Sequence, residues 1–133
     1  MNIDPQTLIS TARASLERAY APYSHFQVAA AVVDEHGRVF TGVNVENLSY
    51  GLAICAERVA IFSAIAAGAR RITAIAVTSS GADLLSPCGA CRQVIAEFAA
   101  ADVLVHCDAP GEPRTWRVGE LLPHRFTASQ LGR

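Results

Sequence analysis

Cys55-Ala56-Glu57 and Pro87-Cys88-Gly89-Ala90-Cys91 are the two stretches that decide how this chain is organised. Together they supply three thiolates and one carboxylate, without a fourth obvious ligand. A structural zinc site takes four protein ligands, whereas a catalytic zinc site keeps one position open for water. The pattern therefore predicts one zinc ion held by the three cysteines, with Glu57 beside it as a proton carrier.

Two other interpretations of the cysteines remain open. Cys88 and Cys91 alone match a thioredoxin-like redox pair, although such a pair has no use for the Cys-x-Glu sequence upstream. Cys107 would turn the site into a closed four-thiolate structural site if it joined the other three. It lies in the apolar run 103–107, far from any second Cys-x-x-Cys pair, so we expect a buried thiol on a strand.

The expected position of the metal follows from helix geometry. Residues i and i+2 of a regular helix lie about 200° apart, so Cys55 and Glu57 cannot share one centre from a helix interior. A first turn allows it, and there the unpaired N–H groups and the positive end of the helix dipole stabilise thiolate. Pro87 marks the start of another helix, and so two helix amino termini are predicted to meet at the zinc.

Three thiolates outweigh the charge of one zinc ion, and a nearby cation is therefore expected. Arg58 directly follows Glu57, and Arg92 directly follows Cys91. We favour Arg58 as a hydrogen-bond donor to a cysteine sulfur, because groups that contact metal ligands tune the metal. The alternatives are that Arg92 has this role, or that Arg58 is an ordinary solvated arginine.

Composition limits the partners of the protein. The chain has 133 residues, 51% of them hydrophobic, and we interpret it as a single domain over residues 1–133. Its net charge is −1 without a basic cluster, which argues against nucleic acid and for a small substrate. We see neither a targeting segment nor a membrane-spanning apolar stretch, so a cytoplasmic protein is expected.

Hydrophobic periodicity predicts an α/β protein. Asp4 as N-cap and Pro5 as first residue begin a helix that stops before Pro22, and His36-Gly37 forms a hairpin turn. The other predicted elements are strands 26–33 and 38–43, helix 55–67, strand 72–78, helix 88–100, strand 103–107 and a short strand 115–118. This order indicates a three-layer α/β/α sandwich around a mixed five-stranded sheet.

The segment Val59–Ala67 is apolar nearly all round, interrupted only by Ser63. A helix of that kind is buried on more than the side that faces the sheet. A domain this small cannot cover the second face alone, and soluble monomers seldom expose an apolar patch of that size. An even-numbered homo-oligomer is therefore predicted.

Five motifs follow one another along the chain. They are Ala21-Pro22-Tyr23-Ser24-x-Phe26, Thr41-Gly42-x-Asn44-Val45-Glu46-Asn47, Cys55-Ala56-Glu57-Arg58, Ser86-Pro87-Cys88-Gly89-Ala90-Cys91-Arg92-Gln93 and Glu120-Leu121-Leu122-Pro123-x-x-Phe126. In identity and order they resemble the small, homotetrameric type of cytidine deaminase over nearly the whole chain. The resemblance implies a zinc enzyme that converts cytidine and deoxycytidine to the uridine nucleosides and releases ammonia.

The resemblance also implies contacts with a nucleoside substrate. Asn44 and Glu46 would hydrogen-bond the ribose 3′-hydroxyl, and Phe26 would pack on the pyrimidine. A carboxylate at that position accepts a hydroxyl hydrogen but repels a phosphate, so Glu46 is expected to select nucleosides over nucleotides.

Further roles at the site are implied in the same way. Backbone groups near Ala56 and Cys88 would hold the pyrimidine edge. Phe126 would reach into a neighbouring subunit's site, and so would Tyr50, so that active sites are shared within the homotetramer.

Two alternative functions remain open on the sequence. A deaminase of a cytosine-containing antibiotic such as blasticidin S would share the zinc motifs but would not need Asn44 and Glu46 arranged for a ribose. A non-catalytic zinc-containing module that binds a nucleoside would have no use for a proton carrier at Glu57.

Overall fold

One five-stranded sheet forms the middle layer of the protein, which the computed structural model describes over residues 3–132. Its strands are β1 (Val28–Asp34), β2 (Val39–Val43), β3 (Ile72–Ser79), β4 (Leu104–Cys107) and β5 (Arg114–Arg117). Their order is β2-β1-β3-β4-β5, in which β3 and β4 pair in parallel and the other neighbours are antiparallel. The predicted mixed five-stranded sheet is confirmed.

Helices cover both faces of this sheet. They are α1 (Pro5–Arg13), α2 (Ala56–Ala66), α3 (Gly89–Phe98) and the short α4 (Val118–Leu121), with 3-10 turns at Leu16–Arg18, Tyr50–Leu52 and Ala128–Leu131. Alternate residues of β1 pack on opposite layers: Ala29 and Ala31 share a core with α1, and Ala30 and Val32 share one with α2 and α3. All seven residues of β1 are buried, and the predicted three-layer arrangement is confirmed.

The first helix is shorter than the sequence predicted. Asp4 is its N-cap, as expected, and its carboxylate accepts a hydrogen bond from a backbone N–H of the first turn. The helix nevertheless ends at Arg13, well before Pro22. The cause is a long-range pairing, because the backbone of Tyr20 is extended and forms a bridge with Val45.

The remaining predicted boundaries differ from the structure by one or two residues. The hairpin turn is confirmed, with Gly37 in the left-handed region at φ 79°. Strand β1 begins at Val28 instead of Phe26, because the Asn44 side chain forms hydrogen bonds with the backbone of these two residues. Its Nδ2 donates to the Phe26 carbonyl oxygen at 2.9 Å, and its Oδ1 accepts from the Val28 N–H at 2.8 Å.

Gly42 allows α2 to lie directly against β2. A Cβ atom at Gly42 would be 2.3 Å from the Ala60 backbone nitrogen and 2.6 Å from the Ala56 carbonyl oxygen. Both atoms belong to helix backbone, so no side-chain rotation would make room. The contact therefore sets the distance between the sheet and the first turns of α2, where Cys55 is the N-cap.

Candidate active site

Three cysteine sulfurs meet where α2 and α3 begin. Cys55 is the N-cap of α2, Cys88 is the N-cap of α3, and Cys91 lies in the first turn of α3. The three Sγ atoms lie within 4.8 Å of one another. The prediction that two helix amino termini converge on one centre is confirmed, and both helix dipoles favour negative charge there.

The separation of the sulfurs suits zinc. A tetrahedral zinc ion with Zn–S bonds of about 2.3 Å holds two sulfurs about 3.8 Å apart. Cys55 Sγ and Cys88 Sγ are 3.9 Å apart. Burial raises the pKa of the Cys91 thiol, so this ligand needs a metal ion to displace its proton. The three cysteines therefore fit one Zn²⁺.

Cys107 lies outside this cluster. It is fully buried on β4, and burial raises the pKa of its thiol to about 12. Among residues 3–132, the group of candidate metal ligands consists of the other three cysteines. The expected buried strand thiol is confirmed, and the cluster is not a closed four-thiolate site.

Glu57 is a buried carboxyl group at the same centre. It lies in the first turn of α2, and 4% of its surface is exposed. Burial raises the pKa of this carboxyl group above its ordinary value. A carboxyl group with a raised pKa is a stronger base, which suits a group that takes up a proton and later returns it.

A cavity of about 360 Å³ opens in front of Cys55 and Cys88. The predicted site residues on its wall are Asn44, Glu46, Ala56, Glu57 and Arg58. Leu85 and Ser86 also line it, from the loop that connects β3 to α3. Sequence reasoning gave neither of them a role, because a loop position carries no periodic signal of what it faces.

Three predicted substrate-binding residues lie outside the wall of this cavity. Phe26 is 39% exposed and its ring lies next to Gly81. Tyr50 is 75% exposed and packs edge-on against Tyr23, with ring centroids 5.9 Å apart. Phe126 is 58% exposed. The roles of all three stay predictions, and their exposure leaves them accessible to a second subunit.

The side chains of Asn44 and Glu46 both form hydrogen bonds with the backbone of the segment 23–28. Asn44 holds the backbone of residues 26–28, as described above. The Glu46 carboxylate accepts hydrogen bonds from the Tyr23 N–H at 3.0 Å and the Ser24 N–H at 3.1 Å, and another from the Ser24 hydroxyl. The Ser24 hydroxyl is the main cause that lowers the pKa of Glu46, so this carboxyl group is ionised beside the cavity.

The structure distinguishes the two candidate arginines. Arg58 Nη2 donates to Cys55 Sγ at 3.3 Å. Arg92 instead donates through Nε to the Pro87 carbonyl oxygen at 2.8 Å and through Nη1 to the Leu121 carbonyl oxygen at 3.0 Å. Arg92 therefore braces the loop before α3, and the geometry favours Arg58 as the cation that offsets thiolate charge.

Removal of the Arg58 side chain should weaken zinc binding. We expect Arg58→Ala to lower zinc affinity by roughly ten- to hundredfold, because a donor to a ligand sulfur is lost while the ligands remain. Zinc affinity is measured by competition with a chromogenic chelator. Arg18→Ala, at an exposed arginine of the 3-10 turn after α1, is the matched control. An Arg58→Ala protein with unchanged zinc affinity would make Arg58 a solvated side chain and Arg92 the next candidate.

Three protein ligands leave one position of a zinc ion open, and the buried carboxyl group of Glu57 lies beside it. This arrangement at the mouth of a cavity is typical of zinc hydrolases, and it defines the class of the protein. Residues 3–107 match the family described as "Cytidine and deoxycytidylate deaminase zinc-binding region". A cytidine deaminase from Halalkalibacterium halodurans is 47% identical over 130 residues, which cover 97% of this chain and 98% of that protein.

Solved structures agree with that match. The crystal structure of cytidine deaminase from Burkholderia pseudomallei has a TM-score of 0.88 and 48% identity, over 93% of this chain and 100% of that one. The cytidine deaminase from Mycobacterium tuberculosis has a TM-score of 0.83 and 41% identity, over 95% and 99% of the two chains. The chain belongs to the cytidine and deoxycytidylate deaminase family, as its motifs indicated.

Proposed function

We propose that the protein hydrolyses cytidine and 2′-deoxycytidine to uridine and 2′-deoxyuridine with release of ammonia, using one zinc ion per subunit. The observation that carries the proposal is the buried Glu57 carboxyl group beside three sulfurs spaced for zinc. The full-length relatives named cytidine deaminase support the same reaction and favour it over an antibiotic deaminase. A non-catalytic module would have no need for a buried acid there.

Glu57 carries the protons of the reaction. When held by the three cysteines, zinc would act as a Lewis acid and lower the pKa of water towards neutrality. Glu57 takes one proton from the attacking water and gives it to N3 of the cytosine ring. After the oxygen has added to C4, Glu57 takes the second proton and gives it to the departing amine, which leaves as ammonia. One carboxyl group thus acts first as base and then as acid.

The rest of the cavity would hold the nucleoside. Asn44 and Glu46 lie on its wall and would meet the sugar 3′-hydroxyl. Phe26, which is partly exposed outside that wall, would pack on the base. Backbone groups near Ala56 would hold the pyrimidine edge. Because Glu46 is ionised, a phosphate on the sugar would be repelled, and the free nucleoside is preferred.

An ultraviolet assay of four compounds tests this function. The purified zinc protein should deaminate cytidine and deoxycytidine, with a loss of cytosine absorbance and release of ammonia. Cytidine monophosphate should react at least about tenfold more slowly, since one unfavourable charge contact is enough for such a ratio. Turnover of blasticidin S without turnover of cytidine would overturn the assignment, and turnover of none would leave a binding module.

The cellular setting belongs to the same proposal. Four reduced cysteines, three of them placed as metal ligands, suit a reducing compartment. We therefore place the protein in the cytoplasm, and the proposed reaction gives it a role in pyrimidine salvage. Between residues 3 and 132, no helix has the length and apolar character needed to cross a membrane.

A homotetramer with shared sites is the proposed assembly. Phe62 on α2 is 44% exposed and lies with exposed Ala66 on the side of the helix away from the sheet. Such an apolar face is normally covered by a partner. Tyr50 and Phe126 are exposed as well and lie outside the cavity wall of their own chain, which fits a role in the site of a neighbouring subunit.

Light scattering behind size exclusion should give about four times the chain mass of 14.1 kDa. Phe126→Ala should reduce kcat/KM by about tenfold or more in the assembled protein, because each site would lose an aromatic contact that the neighbouring subunit supplies. Leu131→Ala, at another exposed residue of the C-terminal segment, is the control. A fully active monomer at assay concentration would contradict both the packing argument and the shared site.

A further inference from the structure

We propose that Ser24 is a positioning residue of the substrate site, whose hydroxyl group holds the Glu46 carboxylate and the Phe26 backbone in one fixed arrangement. The inference rests on the proposed function, in which Glu46 meets the sugar hydroxyl and Phe26 packs on the base. Ser24 acts through these two residues and not on the reacting atoms. It thereby sets the distance between the sugar contact and the base contact.

Ser24 Oγ makes two hydrogen bonds of opposite direction. An ionised carboxylate only accepts and a backbone N–H only donates, so both directions are fixed by chemistry. The hydroxyl donates to Glu46 Oε2, and it accepts from the Phe26 N–H at 3.0 Å. The backbone N–H of Ser24 donates to the other oxygen, Glu46 Oε1, at 3.1 Å. One residue thus touches both carboxylate oxygens and the backbone of the aromatic residue.

One acceptor position of Glu46 is left for a ligand. A carboxylate offers about four lone-pair positions. Oε1 accepts from the Tyr23 N–H and the Ser24 N–H, and Oε2 accepts from the Ser24 hydroxyl. The fourth position is therefore on Oε2, the oxygen that the Ser24 hydroxyl holds. Because Glu46 lines the cavity, the proposal places the sugar hydroxyl at this single acceptor, whose orientation depends on Ser24.

The position of the Phe26 ring depends on the hydrogen bonds of its backbone. The residue is 39% exposed, so contacts with neighbouring side chains do not hold the ring on every side. Its carbonyl oxygen accepts from Asn44 Nδ2 at 2.9 Å, and the next N–H, of Gln27, donates to Ser80 Oγ at 3.0 Å. Ser24 Oγ supplies the partner on the amino-terminal side. Without it, the segment is anchored on one side of the ring only.

Loss of the Ser24 hydroxyl should impair substrate binding and spare the chemical step. We expect Ser24→Ala to raise the KM for cytidine about tenfold, because a hydrogen bond to a charged group is lost, with kcat changed less than about twofold. Ser24→Thr keeps the hydroxyl and should restore KM to within about threefold of the wild type. Ser10→Ala, at an exposed serine of α1, is the matched control for a serine-to-alanine change.

A double-mutant cycle separates positioning from general damage. The contact with Glu46 is the stronger of the two, because its acceptor is charged. In a Glu46→Gln background, where that charge is gone and only the Phe26 contact is unchanged, Ser24→Ala should therefore change KM by less than about threefold. A full tenfold effect in that background would overturn the inference. So would equal KM values for Ser24→Ala and Ser24→Thr, or a fall in kcat at unchanged KM.

A titration of the Glu46 carboxyl carbon by ¹³C NMR reads the contact without any turnover. The Ser24 hydroxyl is the main cause of the lowered Glu46 pKa, with the Tyr23 and Ser24 N–H groups and nearby His25 as further causes. Ser24→Ala should raise that pKa and Ser24→Thr should not; an unchanged pKa in Ser24→Ala would overturn the inference. A failure of the proposed function appears separately, as a zinc-loaded wild-type protein that deaminates no cytosine nucleoside.

Discussion

Glu57→Gln should lower turnover of cytidine by at least about a hundredfold while the protein keeps its zinc. The amide has the shape of the carboxyl group but cannot take a proton from water or return one to the base. The three sulfurs are carried by other residues at the ends of α2 and α3, so the metal site should stay intact. The loss should fall on kcat, because the proposed sugar contacts at Glu46 and Asn44 would be unchanged.

Turnover is measured by ultraviolet absorbance, and zinc content is measured by metal analysis of the same preparation. Glu97→Gln, at an exposed glutamate near the carboxyl end of α3, controls for the loss of one negative charge away from the site. A Glu57→Gln protein with full zinc and near-normal turnover would contradict the proton-carrier role. Loss of zinc in this variant would mean that Glu57 also supports the metal.

Gly42→Ala should destabilise the protein by about 3 kcal/mol, at the upper end of what overpacking usually costs. The new Cβ would lie 2.3 Å from a backbone nitrogen of α2, and backbone cannot rotate away as a side chain can. The helix must therefore move off the sheet, and Cys55 moves with it. Zinc affinity should fall together with stability.

Urea unfolding and chelator competition measure the two effects. Gly51→Ala is the matched control, since a Cβ there has nothing within 4 Å and its effect on stability should be small. Wild-type stability in Gly42→Ala would refute the close approach of β2 and α2. Reduced stability with unchanged zinc affinity would mean that the position of Cys55 does not depend on this contact.

The location of the metal site could be predicted because local geometry left one solution. Cys55 and Glu57 cannot point to one centre from a helix interior, so the start of the helix had to lie at Cys55, as the structure has it. Pro87 fixed the second helix start in the same way. The order of helices and strands along the chain likewise predicted the layers, because a sheet with helices on both faces buries the apolar side of each element.

The hydrogen-bond partners of Glu46 and Arg92 could not be predicted, because they lie far away in sequence. Glu46 reaches back to Tyr23 and Ser24, and Arg92 reaches forward to Leu121. The early end of α1 has the same origin, since a pairing between Tyr20 and the chain beyond β2 overrides local helix propensity. Short elements such as α4 carry too few residues for a periodic signal.

The placement of all three sulfurs at helix amino termini has a consequence for metal exchange. In a zinc finger, folding and metal binding are one event, because nothing else holds the ligands together. Here α2 and α3 are also packed on the sheet by a hydrophobic core that includes Ile61, Ile95 and Val105. Stripping the metal should leave a folded apoprotein that is inactive and can be refilled, even with another thiophilic tetrahedral ion such as cobalt.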